Sequence, residues 1–241
     1  MFCKTAFVQT AIVLFFGILA ASPIEAQTPT ALDESDRAVM GRLTTLRDSF
    51  VNQIKAEGFQ PSLPAPTIVL DNPPSFGDYE DGKNLLHIAA WSALTSEEQA
   101  RFSRIAAMLD QGQSGEALFE DSVHHWVFVH ELGHWWQACQ GKLAENHYSV
   151  EYGANRVAAA YWRLKDPGLM DRTAKRMSTL MVGAPVPVPE GQNKESFFNE
   201  NYEKLGPTPA YRWFQEGMVL AVQAEKPLPS FLQALQHPTY P

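Results

Sequence analysis

The sequence predicts an α+β fold, predominantly α-helical, with a small β-sheet lying beside one long apolar helix. Three observations carry this. Apolar residues recur at spacings of three and four over much of the chain. Two short β-branched runs sit near its front. A proline-free stretch from Gly115 to Gly141 is apolar on nearly every side. With 241 residues, 14 Phe and 6 Trp, the chain buries enough apolar surface for one domain over residues 27–241.

The first helix is expected from Asp33 to Glu57, where Val39, Leu43, Leu46, Phe50 and Ile54 share a face and Gly58 stops the run. Pro61, Pro64 and Pro66 then mark an extended connection. Thr67-Ile68-Val69-Leu70 predicts a strand, and a second is expected from Leu85 to Trp91 after the Asp81-Gly82 turn signal. Thr95 and Glu98 form a capping box that opens a helix to Leu109. Gly112 and Gly115 separate it from the long helix ending at Gly141. Further helices are expected over residues 148–165, 169–181, 194–204, 209–224 and 229–236, with a proline-rich loop at 184–191. Pro209 follows the Thr208 cap at a first helical position, where its missing N–H is no loss.

Residues 1–26 are of different composition. Lys4 precedes an apolar run from Ala6 to Ala21, and Pro23 and Ile24-Glu25-Ala26 follow, which matches a secretory signal peptide. Secretion or a periplasmic location is therefore expected. The alternative is an uncleaved anchor, against which stand the run's shortness and Gln9 within it. A membrane contact is expected only if this segment is retained. The net charge of -8 comes without a basic patch, which argues against a nucleic-acid footprint. Of the two cysteines, Cys3 leaves with the signal, so Cys139 has no partner for a disulfide and reads as a buried structural thiol.

The chemistry concentrates at His130-Glu131-Leu132-Gly133-His134. A helix turns about 100° per residue, so His130 and His134 stand about 40° from register, one turn apart, and can grip one ion from one side. Glu131 stands about 100° round, beside the ion, where it can take a proton from a zinc-activated water. Val127, Phe128, Val129, Leu132, Trp135 and Trp136 surround the motif. Two histidines and a glutamate in so apolar a helix need partners, because burying them unpaired costs several kcal/mol. A metal supplies them. The competing reading is a hydrogen-bonded histidine pair in a helical core.

Catalytic zinc takes three protein ligands and leaves a position open. Glu145, His147 and Glu151 are the downstream candidates. Glu151 is favoured because it shares a helix face with Ala154, Asn155, Ala158 and Trp162, where a carboxylate must be satisfied by something. On a regular helix His124 and His125 lie about 120° and 140° from His130, and Cys139 about 180°. These three are discounted as ligands. Tyr202, Tyr211, Arg212 and His237 are candidates for steadying a tetrahedral oxyanion, Tyr211 first.

His130-Glu131-Leu132-Gly133-His134 followed by Glu151-Tyr152-Gly153-Ala154-Asn155 resembles the gluzincins, zinc peptidases with two His and one Glu as ligands. The resemblance spans about residues 75–160, and the approach to the motif is similar to the CAAX-protease-like branch. The chain departs from that branch's membrane-embedded members, having no spanning segment after residue 26. The metzincin pattern is excluded, because Gln137 and Gln140 stand where it needs Gly and His. The resemblance implies a zincin-like metallopeptidase domain with Zn2+ on His130, His134 and Glu151. It implies Glu131 as the general base, an edge strand to hold extended substrate, and a peptide or protein as partner. It also implies that Asn155, standing where the clan usually has Asp, accepts the N–H of the first histidine without bringing charge. The rival expectation is an inactive relative that keeps zinc and binds peptides or envelope proteins.

Overall fold

The computed structural model describes residues 33–109, 112–143, 146–206 and 208–239. The signal-peptide expectation for residues 1–26 and the candidate ligand Glu145 lie outside them. The described chain is mainly helical with a three-stranded sheet. No helix among the described residues is long and apolar enough to cross a membrane.

Helix α1 (Glu34–Ala56) starts where the Asp33 side chain accepts a hydrogen bond from the Asp36 N–H, and it buries Val39, Leu43, Phe50, Val51 and Ile54. This is the periodic face expected from the sequence. Phe50 is fully buried, with its ring 5.2 Å from that of Tyr161 and 5.7 Å from that of Phe231. Phe50→Ala should cost about 3–5 kcal/mol, lost transfer energy plus a residual cavity, and denaturant melts would read it.

The sheet has the order β1-β3-β2. Strand β1 (Thr67–Asp71) runs parallel to β3 (Leu85–Ala89), and β2 (Gly77–Glu80) runs antiparallel to β3, with Gly77 opposite Ile88. Two expectations are corrected here. The strand expected from Leu85 to Trp91 ends at Ala89, because Trp91 to Ala93 forms a 3-10 turn. It is also the middle of the sheet, and the edge beside the long helix is β2, for which the sequence raises no strand. Gly, Asp and Glu are poor strand formers, and four residues leave little alternation to read. Still, Gly77 and Tyr79 point inward while Asp78 is exposed. The hairpin turns through Asp81–Lys83 to Asn84, which takes the left-handed conformation (φ 55°). A side chain that bonds locally is at home there, and Asn84 Oδ1 accepts the Tyr79 hydroxyl at 3.0 Å.

Helix α2 (Ser96–Leu109) opens on the expected box: Glu98 N–H donates to Thr95 Oγ1 and Thr95 N–H to Glu98 Oε2. The single long helix expected over 115–141 is three pieces. A short α3 (Gly115–Phe119) and α4 (Phe128–Cys139) are joined by a π-helical stretch, Glu120–Val127. Wide turns need no helix breaker, so the sequence gives no sign of them. Helical angles counted back from His130 therefore fail at His124 and His125. Both nonetheless find partners elsewhere: His124 Nε2 lies 2.9 Å from the Ala89 carbonyl oxygen, and His125 Nδ1 3.3 Å from Asp121 Oδ1.

Helix α5 (His147–Lys165) is buried along most of its length and lies against α4. Gly133 permits the approach, since a Cβ there would stand 3.1 Å from the Ala154 Cα. Helices α6 (Pro167–Met181), α7 (Lys194–Leu205), α8 (Pro209–Ala224) and α9 (Phe231–Gln236) complete the packing. Their caps are the side chains of Asp166, Asn193, Thr208 and Ser230. Cys139 is a buried free thiol whose backbone carbonyl accepts from Ser62 Oγ.

Candidate metal centre

Helices α4 and α5 bring three donors to one point. His130 Nε2 and His134 Nε2 are 3.0 Å apart, and Glu151 Oε2 lies 3.1 Å from the first and 3.5 Å from the second. The two rings stand at 87° to each other. Ligands at about 2.0–2.1 Å from a tetrahedral zinc are separated by about 3.3 Å, which falls within this triangle's range of sides. Two imidazole nitrogens and a carboxylate oxygen are also a donor set that zinc accepts. The buried His130, His134 and Glu151 group therefore fits a metal ion.

Two of the three donors, His134 and Glu151, are held from behind. His134 Nδ1 lies 2.8 Å from Gln137 Oε1, which fixes Nδ1 as the protonated nitrogen and leaves Nε2 a lone pair to offer. Gln137 is fully buried, and its Nε2 donates to the carbonyls of Val150 (2.7 Å) and Pro238 (2.6 Å). Gly153 makes room for that crossing segment, because any Cβ there would run into the Pro238 carbonyl. Glu151 Oε1 accepts the hydroxyls of Tyr202 at 2.7 Å and Tyr211 at 3.1 Å, and Oε2 accepts Gln215 Nε2 at 2.8 Å. Tyr202 is itself stacked on His147, with ring centroids 4.0 Å apart.

Two sequence expectations change. Asn155 makes no hydrogen bond to His130: its Nδ2 donates to the Glu151 backbone carbonyl (3.0 Å) and to Gln215 Oε1 (2.9 Å), while its buried Oδ1 has no hydrogen-bond partner among the described residues. The amide nitrogen is thus spent along α5 and toward α8. Tyr211 and Tyr202, candidates for the oxyanion, both line the cleft but give their hydrogens to Glu151. Arg212 also lines the cleft. His237 is anchored elsewhere, its carbonyl accepting from Arg156. Gln137 and Gln215 were not singled out from the sequence. The available signal was a polar residue inside an otherwise apolar helix for the first, and an amide one turn from Tyr211 for the second.

Glu131 lies beside the triangle. It is 7% exposed, and burial pushes its carboxyl above the usual carboxylate range against the pull of His134 and His130. Strand β2 passes directly over it. A Cβ on Gly77 would lie 3.2 Å from Glu131 Cγ and collide with the Val127 side chain, so glycine is what lets the strand come so near. A cleft of about 400 Å³ opens between β2, the π-helical stretch, α4 and α8, walled by Phe76, Trp126, Val127 and Met177. Comparison of the chain with protein-family models, curated proteins and solved structures finds no match in any of the three.

Charge at the centre sets a pH dependence. Burial opposes a charge on His134, but Glu151 and Glu131 beside it outweigh this and raise its pKa from 6.5 to about 9. Burial likewise raises Glu151, yet His134 and His130 hold it well below its ordinary 4.5. A raised histidine stabilises the fold fully below pH 6.5 and ceases to as pH climbs through 9. A depressed carboxylate stabilises above 4.5 and ceases to as pH falls through its lowered value. Chelator-treated protein should therefore have its highest Tm between about pH 4.5 and 6.5 and lose stability toward pH 9. A metal ion such as zinc bound there would have to displace the His134 proton, so its affinity should instead rise over pH 6.5–9. Thermal melts with chelator and with zinc across that range would show opposite slopes.

Proposed function

We propose that the chain is an exported zinc-dependent metallopeptidase of gluzincin type, a zincin-like domain that hydrolyses peptide bonds. The observation that carries this reading is the convergence of His130, His134 and Glu151 on one point with Glu131 beside them and not among them. His130, His134 and Glu151 would hold zinc, which would supply a water of lowered pKa and an electrophile for a carbonyl oxygen. Glu131, with its pKa raised by burial, accepts the water proton and passes it to the leaving amine. The outer edge of β2, paired only with β3 in the sheet, offers its backbone to an extended peptide laid along Gly77–Glu80. Apolar walls at Phe76, Trp126 and Val127 exclude bulk water from the bond being broken. Burial and the nearby Glu151 keep the Tyr211 hydroxyl protonated far above neutral pH. It therefore remains a donor, and turning it to a developing oxyanion would leave Tyr202 to hold Glu151 Oε1. The CAAX-protease-like branch belongs to the same proposal, on the strand, turn and capped helix that precede the motif.

A second reading, an inactive relative that retains zinc and binds peptides, is favoured by the neutral Asn155 and its lack of a bond to His130. Metal analysis of purified 27–241 protein, with and without chelator, and cleavage of a broad peptide library separate the two. One zinc per chain and chelator-sensitive cleavage are expected. A zinc-loaded chain inert toward the library would leave only the binding reading, and a chain that takes up no zinc would end both. Export is tested by N-terminal sequencing of secreted material, which should begin near Gln27. Full-length protein resisting high salt and carbonate in a membrane pellet would contradict it.

A further inference from the structure

We propose that Gln215 is a positioning residue for the metal-ligating carboxylate, set in turn by Asn155, so that an amide relay takes the place of a charged partner. The inference rests on the zinc site proposed above. The hydrogen bonds close with nothing left over in the middle of the relay. Gln215 Nε2 donates one hydrogen to Glu151 Oε2 (2.8 Å) and the other to the Tyr211 hydroxyl oxygen (2.9 Å). Tyr211 passes its own hydrogen to Glu151 Oε1 (3.1 Å). Gln215 Oε1 accepts from Asn155 Nδ2, whose other hydrogen reaches the Glu151 backbone carbonyl. Reversing the Gln215 amide would set nitrogen against nitrogen at Asn155 and oxygen against a carboxylate at Glu151, so the orientation is the one that satisfies the Gln215 amide itself.

The consequence is geometric. Tyr202 and Tyr211 occupy Oε1, which leaves Oε2 to face the imidazoles. Gln215 is the group that holds Oε2 in place without competing for the ion, since an amide N–H donor cannot ligate. Glu151 would then bind through a single oxygen. The first histidine draws no charge from this relay, so the ordering of the carboxylate supplies the preorganisation that zinc affinity requires.

The test is zinc affinity, measured by competition with a chromophoric chelator on Gln215→Leu and Gln215→Glu. Leucine removes both ends of the amide, and glutamate keeps the size but cannot donate to Glu151. Each variant should bind zinc 10–100-fold more weakly than wild type. The visible spectrum of the cobalt-substituted protein should change with it, reporting altered ligand geometry. Gln215→Leu leaves the buried Asn155 Nδ2 one acceptor short, so a modest fall in the Tm of the chelator-treated variant is expected; the cobalt spectrum of the folded variants, which a general loss of stability would not move, separates positioning from folding. Asn155→Ala should weaken zinc binding in wild type and add little in the Gln215→Leu background. Zinc affinity within threefold of wild type in both Gln215 variants overturns the relay while leaving the zinc site standing. A wild-type chain that binds no zinc overturns the site itself, and the two failures are told apart by the first measurement.

Discussion

Glu131→Gln should abolish most turnover and nothing else. The substitution keeps size and hydrogen bonding beside the triangle but removes the group that accepts a proton. Cleavage of an unstructured peptide or casein should fall by at least about a hundredfold, the lower range for loss of a positioned general base. Zinc should remain at one per chain, because the three donors His130 Nε2, His134 Nε2 and Glu151 Oε2 are untouched. The fold should hold as well, since a neutral amide relieves a carboxylate that burial already disfavours. Equal residual cleavage by wild type and variant would trace the activity to a contaminant.

The second large effect is loss of metal. His130→Ala, His134→Ala and Glu151→Ala each remove one of three ligands and should reduce zinc to a small fraction of one per chain by elemental analysis. The three variants differ in what they leave behind. Without Glu151, two imidazole nitrogens face each other at 3.0 Å with no anion between them, and Tyr202, Tyr211 and Gln215 lose their common acceptor. That variant should also be the least stable of the three when chelated, because buried donors are left unpaired. Full zinc in Glu151→Ala together with its loss in His147→Ala would mean that the third ligand had been misplaced. His147 is the fair comparison, being in the cleft wall but stacked on Tyr202.

The helices were legible because their signals are local. Caps such as Thr95, Thr208 and the residues before them act within a turn, and a periodic face such as that of α1 declares itself over six turns. The metal-fitting triad was legible for a related reason: His130 and His134 are placed by one helix, and Glu151 stands on a small-residue face of the next. Groups whose roles depend on distant segments were not readable. Asn155 lies four residues from Glu151, yet its partner Gln215 comes from α8, 60 positions away, and no periodicity reports that meeting. The π-helical stretch escaped because its residues are ordinary helix formers, and β2 because four residues with Gly, Asp and Glu do not look like a strand until β3 is beside them.

Gln137 ties the second histidine to a carbonyl 101 positions further on, at Pro238. A chain that has packed α4 on α5 already owns all three donors and the Val150 carbonyl that orients Gln137, and the segment that later crosses Gly153 adds a second acceptor to the same amide. Contacts of such long range form late in folding. An ion held by this triad would therefore be braced in full only in the finished molecule. If the proposed export holds, a precursor kept unfolded for transport would not yet have brought the three donors together and would take up an ion only where it folds.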